Sequence, residues 1–241
     1  MGWIFEYRRY CLTLIGVFVV LWTVLAIDPV SRSDWFLENI LTLIFVPLMV
    51  ASYWALPFSR VSYGLIFLFL CLHSLGAHYT YSQVPYDAWF ESLTGSTLNG
   101  LIGWQRNHFD RLVHFSYGLL LAYPVRELFF RVANARGFWS YFLPLDVVMS
   151  TSMAFELIEW AVAVWVGGDL ALDYLGTQGD EWDAHKDMAL ASTGALIAMF
   201  LTMAVNRRWQ KDFAREWQES LRVKVATPLG ESALARLFRR R

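Results

Sequence analysis

RNHFDRLVHFSYGLLLAYPVRELFF, residues Arg106 to Phe130, is the stretch on which the fold turns. Its first nine residues hold two arginines, two histidines and an aspartate. A smooth apolar run follows, and Arg126 and Glu127 close it. The opening polarity suits either the interfacial end of a membrane helix or one wall of a chemical site. Only the surrounding chain separates these readings.

The 241 residues are 56% hydrophobic and only 17% charged, against about a quarter charged in ordinary soluble domains. Twelve Trp residues stand mostly near the ends of apolar runs, where an interfacial aromatic belt places them. Both cysteines, Cys11 and Cys71, lie within apolar segments and imply no disulfide framework. The net charge of −1 gives no attraction to nucleic acid.

Measured against the roughly 20 apolar residues that a helix needs to cross a bilayer, six segments qualify: 10–27, 36–56, 61–78, 109–130, 139–166 and 186–205. The fourth is the weakest, because Asp110, Arg111 and His114 crowd its start. The expected fold is an all-α, polytopic helical bundle, since an open backbone in lipid satisfies its hydrogen bonds only as helix. The first span has no small-residue cleavage site behind it and is read as retained. Sixteen of the 20 basic residues then fall on the side of the N-terminus and four on the other. That imbalance predicts both termini in the cytoplasm of a bacterial plasma membrane.

Residues 1–206 form the bundle and 207–241 a cytoplasmic basic tail. In the tail Trp209, Phe213, Trp217 and Leu221 recur every fourth residue, the pattern of an amphipathic helix on a membrane surface. Arg239, Arg240 and Arg241 add attraction to anionic lipid. Docking of this helix on the bundle's own loops is the alternative. The loop from Tyr79 to Asn107 holds Pro85, Gly95, Gly100 and Gly103, which break a regular helix. It is expected to lie over the bundle as a lid or entry rim.

Ionisable residues inside spans are costly, so their positions carry information. All five histidines (His73, His78, His108, His114 and His185) fall towards the outer side, with Asp110, Glu156, Glu159, Asp180, Asp183 and Asp187. Asp110 and His114 are four apart, as are Asp183 and Asp187, so each pair shares a helix face. His114, Glu156, Asp183 and Asp187 are the candidate metal ligands, and carboxylate with imidazole suits Zn, Fe or Mn, or Mg for a carboxylate subset. Asp110, His114 and Glu159 are the candidate acid–base residues. The bland readings stand beside these. Asp110 can cap its helix, Asp183 and Asp187 can begin theirs, and Glu156 and Glu159 can pair with Arg106 or Arg111.

HSLGAHYTYSQVP, RNHFDRLVHFSYG, FELIEW and GDEWDAHKDMALASTGALI together resemble the YjdF-type family of bacterial inner-membrane proteins, over roughly residues 35–205. The resemblance implies a multi-spanning plasma-membrane protein without an established activity. A looser similarity to VanZ-like membrane proteins rests on Asp110, His114 and Tyr117, on Glu156, and on Asp183, Asp187 and Gly194. Where that group has Gln and Asn, this chain has Glu159 and Ala191. The leading expectation is an envelope protein that binds or modifies an amphiphilic or lipid-linked substrate at the outer polar site. A proton-coupled transporter and a structural or accessory subunit remain as alternatives. Membrane lipids are the expected partners, and nothing in the sequence decides an oligomeric state.

Overall fold

The structure is a computed structural model that describes residues 2–166 and 177–226, with positions 228, 230, 231, 236 and 238 beyond them. The terminal Arg239–Arg241 run lies outside the described residues. The described residues are all-α. In order the helices are α1 (Gly2–Leu25), α2 (Arg32–Ser52), α3 (Arg60–His78), α4 (Tyr86–Thr94), α5 (Leu98–Ile102), α6 (Phe109–Val132), α7 (Trp139–Val166), α8 (Asp183–Trp209) and α9 (Phe213–Ser220).

Five of these helices are long and apolar enough to cross a membrane: α1, α2, α3, α7 and α8. Six were expected. The one outside the set, α6, has 24 residues, or about 36 Å at 1.5 Å per residue. Its length suffices, but Asp110, Arg111, Arg126, Glu127 and Arg131 remove it from an apolar criterion. Packing supplies the physical reason that such a sequence is accommodated. α6 is flanked by α3, α7 and α8, so its polar groups meet protein.

α1, α3 and α7 run away from the end of the bundle where α1 begins and α8 finishes (the termini end), and α2, α6 and α8 have their opposite direction set by the connections between them. The closest approach is between α6 and α8. Both Gly118 and Gly194 are buried there, with Ala191 and Ala195 fully inaccessible. A Cβ on Gly118 would run into the Ala191 carbonyl, and one on Gly194 into the Phe115 carbonyl. Small residues thus let two backbones touch, as membrane helix interfaces require.

The ends of helices are tied across the bundle. At the termini end, Glu127 of α6 accepts from the Ser59 amide at 2.8 and 3.0 Å and from the Ser62 hydroxyl at 2.5 Å. It also pairs with Arg131 at 3.2 Å, and Arg131 donates to the Pro57 carbonyl. The carboxylate therefore satisfies donors at the start of α3 where its positive dipole end lies. At the opposite end His78 donates from Nδ1 to the Leu25 carbonyl at 2.8 Å, tying α1 to α3.

The tail helix α9 sits on the bundle. Phe213 and Trp217 stack at 5.8 Å, and Trp217 meets Phe138 at 5.6 Å and Tyr141 at 6.1 Å. The Phe138 amide donates to Ser220 Oγ at 3.0 Å, and Trp139 Nε1 to the Ser220 carbonyl at 2.8 Å. Half of the expected aromatic stripe is used this way. Trp209 and Leu221 remain exposed.

Candidate metal centre

The Tyr79–Asn107 connection closes over one flank of the site end. Gly95 and Gly103 adopt left-handed conformations at φ 76° and 80° and end the two short helices α4 and α5. Asn107 Nδ2 donates to the Val84 carbonyl at 2.9 Å, and Val84 is buried against Phe109 and Val113. The same asparagine accepts from the Phe109 amide at 2.9 Å. His108 occupies the cap position without a side-chain cap bond, Asn107 before it holds the first amide of α6, and Asp110 lies inside the first turn. The Asp110 carboxylate is left available for the bundle interior.

One turn above the Gly118 crossing on α6 stands His114, and one turn above that stands Asp110. On α8, Asp187 stands one turn above Ala191. The close backbone contact below therefore brings these three side chains together. Asp110, His114 and Asp187 each present a ligand atom within 4.8 Å of the others'. Asp110 Oδ1 lies 3.5 Å from His114 Nε2, and the other imidazole nitrogen, Nδ1, lies 3.7 Å from Glu156 Oε1 on α7. Asp187 is buried at 2% exposure. Its Oδ1 and Glu156 Oε1 are both inaccessible, and no hydrogen-bond donor reaches either. Orphaned oxygens in a protein interior call for a partner, and a cation is one that suits anionic acceptors.

Asp183 has a different neighbourhood. Arg106 grips it with two bonds, Nη1 to Oδ1 at 2.8 Å and Nη2 to Oδ2 at 3.3 Å, and Arg111 Nη2 adds a third at 3.2 Å. Arg111 also reaches Asp180 at 2.5 Å, which Lys186 meets at the same distance. Arg106 further donates to the Thr177 carbonyl at 2.9 Å. The arginines considered as partners for Glu156 and Glu159 are thus spent on the loop before α8 and on Asp183, the first residue of that helix. This network joins the start of α6 to the start of α8 and roofs the Asp110–His114–Asp187 cluster. Beside it, His108 accepts from Arg111 Nη1 at 3.2 Å. Burial first, and then the two arginine charges, lower its pKa.

Two residues that sequence reasoning did not single out complete the surroundings. Glu38 of α2 is buried at 6% exposure, and Tyr81 lies between it and His73. Thr80 and Tyr81 take left-handed φ values of 51° and 54°, conformations that cost non-glycine residues on the order of 1 kcal/mol each. The reversal folds the Tyr81 ring over Gly76 and brings its hydroxyl within 2.5 Å of His73 Nδ1. His73 Nε2 donates to the Glu38 carbonyl at 3.2 Å, so Nδ1 is the acceptor of the Tyr81 proton. His73 therefore bridges α2, α3 and the loop after α3. Glu159 lies among Glu38, Glu156, Asp110 and Asp187. His185 is exposed against Trp182, away from the cluster. A single glutamate in an apolar helix was the only signal for Glu38, and nothing local marks Tyr81.

A family model described as "Predicted membrane protein (DUF2238)" matches residues 10–208, which include every residue of the cluster and its roof. The chain belongs to this family. It is 34% identical over 186 residues to the "Inner membrane protein YjdF" of Escherichia coli (strain K12), covering 76% of this chain and 84% of that protein. No solved structure matches. As a member of the DUF2238 family the chain is a multi-pass inner-membrane protein with a potential metal-coordinating cluster. Neither the family match nor this relative supports the looser similarity to VanZ-like proteins.

Proposed function

We propose that this protein is a metal-dependent enzyme of the bacterial inner membrane, acting on an amphiphilic or lipid-linked substrate at the outer side. The observation that carries the reading is the convergence of Asp110, His114 and Asp187 within 4.8 Å, with Asp187 Oδ1 buried and unpartnered. Two carboxylates and one imidazole form a donor set for Zn, Fe or Mn, with Mg less favoured by the nitrogen ligand. In this reading His114 binds the ion through Nε2. Glu156 faces Nδ1 and fixes the tautomer, as carboxylates behind metal-bound histidines do. Glu159 takes the proton from the attacking water and returns it to the leaving group. Asp183 holds the two arginines in place rather than the ion. α6 serves as a sixth span, shielded by its neighbours, and both termini are cytoplasmic. The bundle is residues 1–206 and the tail residues 207–241, of which helix α9 docks beneath the bundle.

The test is elemental analysis of detergent-purified protein, with His114→Ala and Asp187→Asn for comparison. About one ion per chain is expected in the native protein, with loss of most of it in both variants while they remain folded. Absence of metal from all three after reloading would overturn the reading and leave a buried packing network. Given a metal, hydrolysis of lipid-linked esters and phosphodiesters by native protein but not by Glu159→Gln is the next expected result.

A further inference from the structure

A second feature lies at the opposite end of the bundle, far from the cluster. α1 and α2 are joined at the site end, where Trp22 Nε1 donates to Asn39 Oδ1 at 2.7 Å and Trp22 packs on Trp35 with ring centroids 5.4 Å apart. Both helices pack on α3, but they make little direct contact with each other elsewhere. Towards the termini end they part and leave a groove of about 250 Å³. Its floor is the buried cluster of Phe18, Ile66 and Leu70. Its sides are apolar residues of α1 and α2, Leu12 and Met49 among them. Pro47 sits in this half of α2 and cannot donate to the carbonyl one turn earlier.

Such a space inside the hydrocarbon layer does not hold water, because its lining offers almost no hydrogen bonds. The groove is open along its side, where Leu12 and Val50 are more than half exposed. A lipid chain therefore has free lateral entry. The mouth at the termini end selects among lipids. Arg8 lines it, Arg60 stands beside Cys11 and Tyr10, and Trp54 forms the opposite lip at 82% exposure. Among the described residues no carboxylate lies within ion-pair distance of Arg8 or Arg60. All the other guanidinium-rich ground around the metal cluster is neutralised by acids, so this mouth is a different electrostatic environment.

We infer that this groove binds one anionic phospholipid of the leaflet at the termini end, with an acyl chain between α1 and α2 and its phosphate on Arg8. Charge complementarity makes the headgroup anionic: the mouth offers two cations and, among the described residues, no carboxylate paired with either of them. The site is independent of the proposed metal chemistry.

Native mass spectrometry of the full chain in detergent tests this, with phosphatidylglycerol and phosphatidylcholine of identical chains as probes. Wild type is expected to retain one phosphatidylglycerol, preferred roughly fivefold over phosphatidylcholine, the factor due to one basic contact near the membrane surface. Arg8→Gln, an exposed change, should keep chain binding and lose the preference. Met49→Trp, which fills the groove, should lose both. The same phosphatidylglycerol should raise the thermal midpoint of wild type and leave that of Met49→Trp unmoved, which separates loss of the site from loss of the fold. Equal retention of the two lipids by wild type, or unchanged phosphatidylglycerol retention in both variants, would overturn the inference.

Discussion

Asp180, in the loop before α8, shows how strongly single residues are committed at the site end. The Lys186 hydrogen bond, the Trp182 amide and then Arg111 hold its carboxyl down, from 3.8 to about 2. A depressed carboxylate stabilises the fold above its unfolded pKa and loses that contribution as pH falls through the folded value. The contribution of Asp180 to the roof is therefore complete at pH 5 and is lost between about 4 and 2. In protein labelled with carboxyl ¹³C-aspartate, the Asp180 resonance should titrate near 2 in wild type and move upward in Lys186→Gln. A wild-type midpoint near 4 would show that the three donors do not hold it. At this scale the sequence was readable in part. Asp110, His114 and Asp187 stood out because ionisable residues in apolar helices need partners. Which partner each one takes was not readable: Asp183 looks like a fourth ligand in sequence, and only the structure reveals the fork of Arg106 upon it.

Helices α6 and α8 carry the next level of the argument, because the cluster exists only where their backbones touch. His114 precedes Gly118 by four residues, and Asp187 precedes Ala191 by four. Both positions point one turn up from the crossing. A leucine at 118 would force α6 away from the Ala191 carbonyl, and overpacking of this kind costs about 1–3 kcal/mol or more. Gly118→Leu is expected to lower the thermal midpoint and to remove bound metal, whereas Gly16→Leu, with open space around its Cβ, should change neither. Retention of native stability and metal by Gly118→Leu would mean that the two helices do not cross there. Apolar length identified five of the long helices from sequence alone. α6 stayed the weakest because hydropathy averages its charges with its apolar face and knows nothing of the neighbours that shield them.

For the whole molecule, the basic residues predict the orientation and the helix directions constrain it. With α6 spanning, residues 92 and 222 lie on opposite sides of the membrane. After replacement of Cys11 and Cys71, a cysteine introduced as Ser92→Cys should react with an impermeant maleimide in intact cells. One introduced as Arg222→Cys should react only after permeabilisation. Labelling of both from outside would remove α6 from the set of spans.

The class of the molecule was settled by composition and apolar run length, which depend on local sequence because each membrane helix satisfies its own backbone. The concentration of acids and histidines on one side was equally legible, since a span has two ends and residue numbers assign each polar group to one. Tertiary structure alone decided the rest. It matched Asp110 and His114 with Asp187 across a glycine-lined crossing, drew in Glu38 from α2 and Tyr81 through a left-handed turn, and spent Asp183 on two arginines. It also seated Trp217 on Tyr141. These are contacts between residues far apart in the chain, where periodicity records which face a side chain occupies but not what stands opposite it.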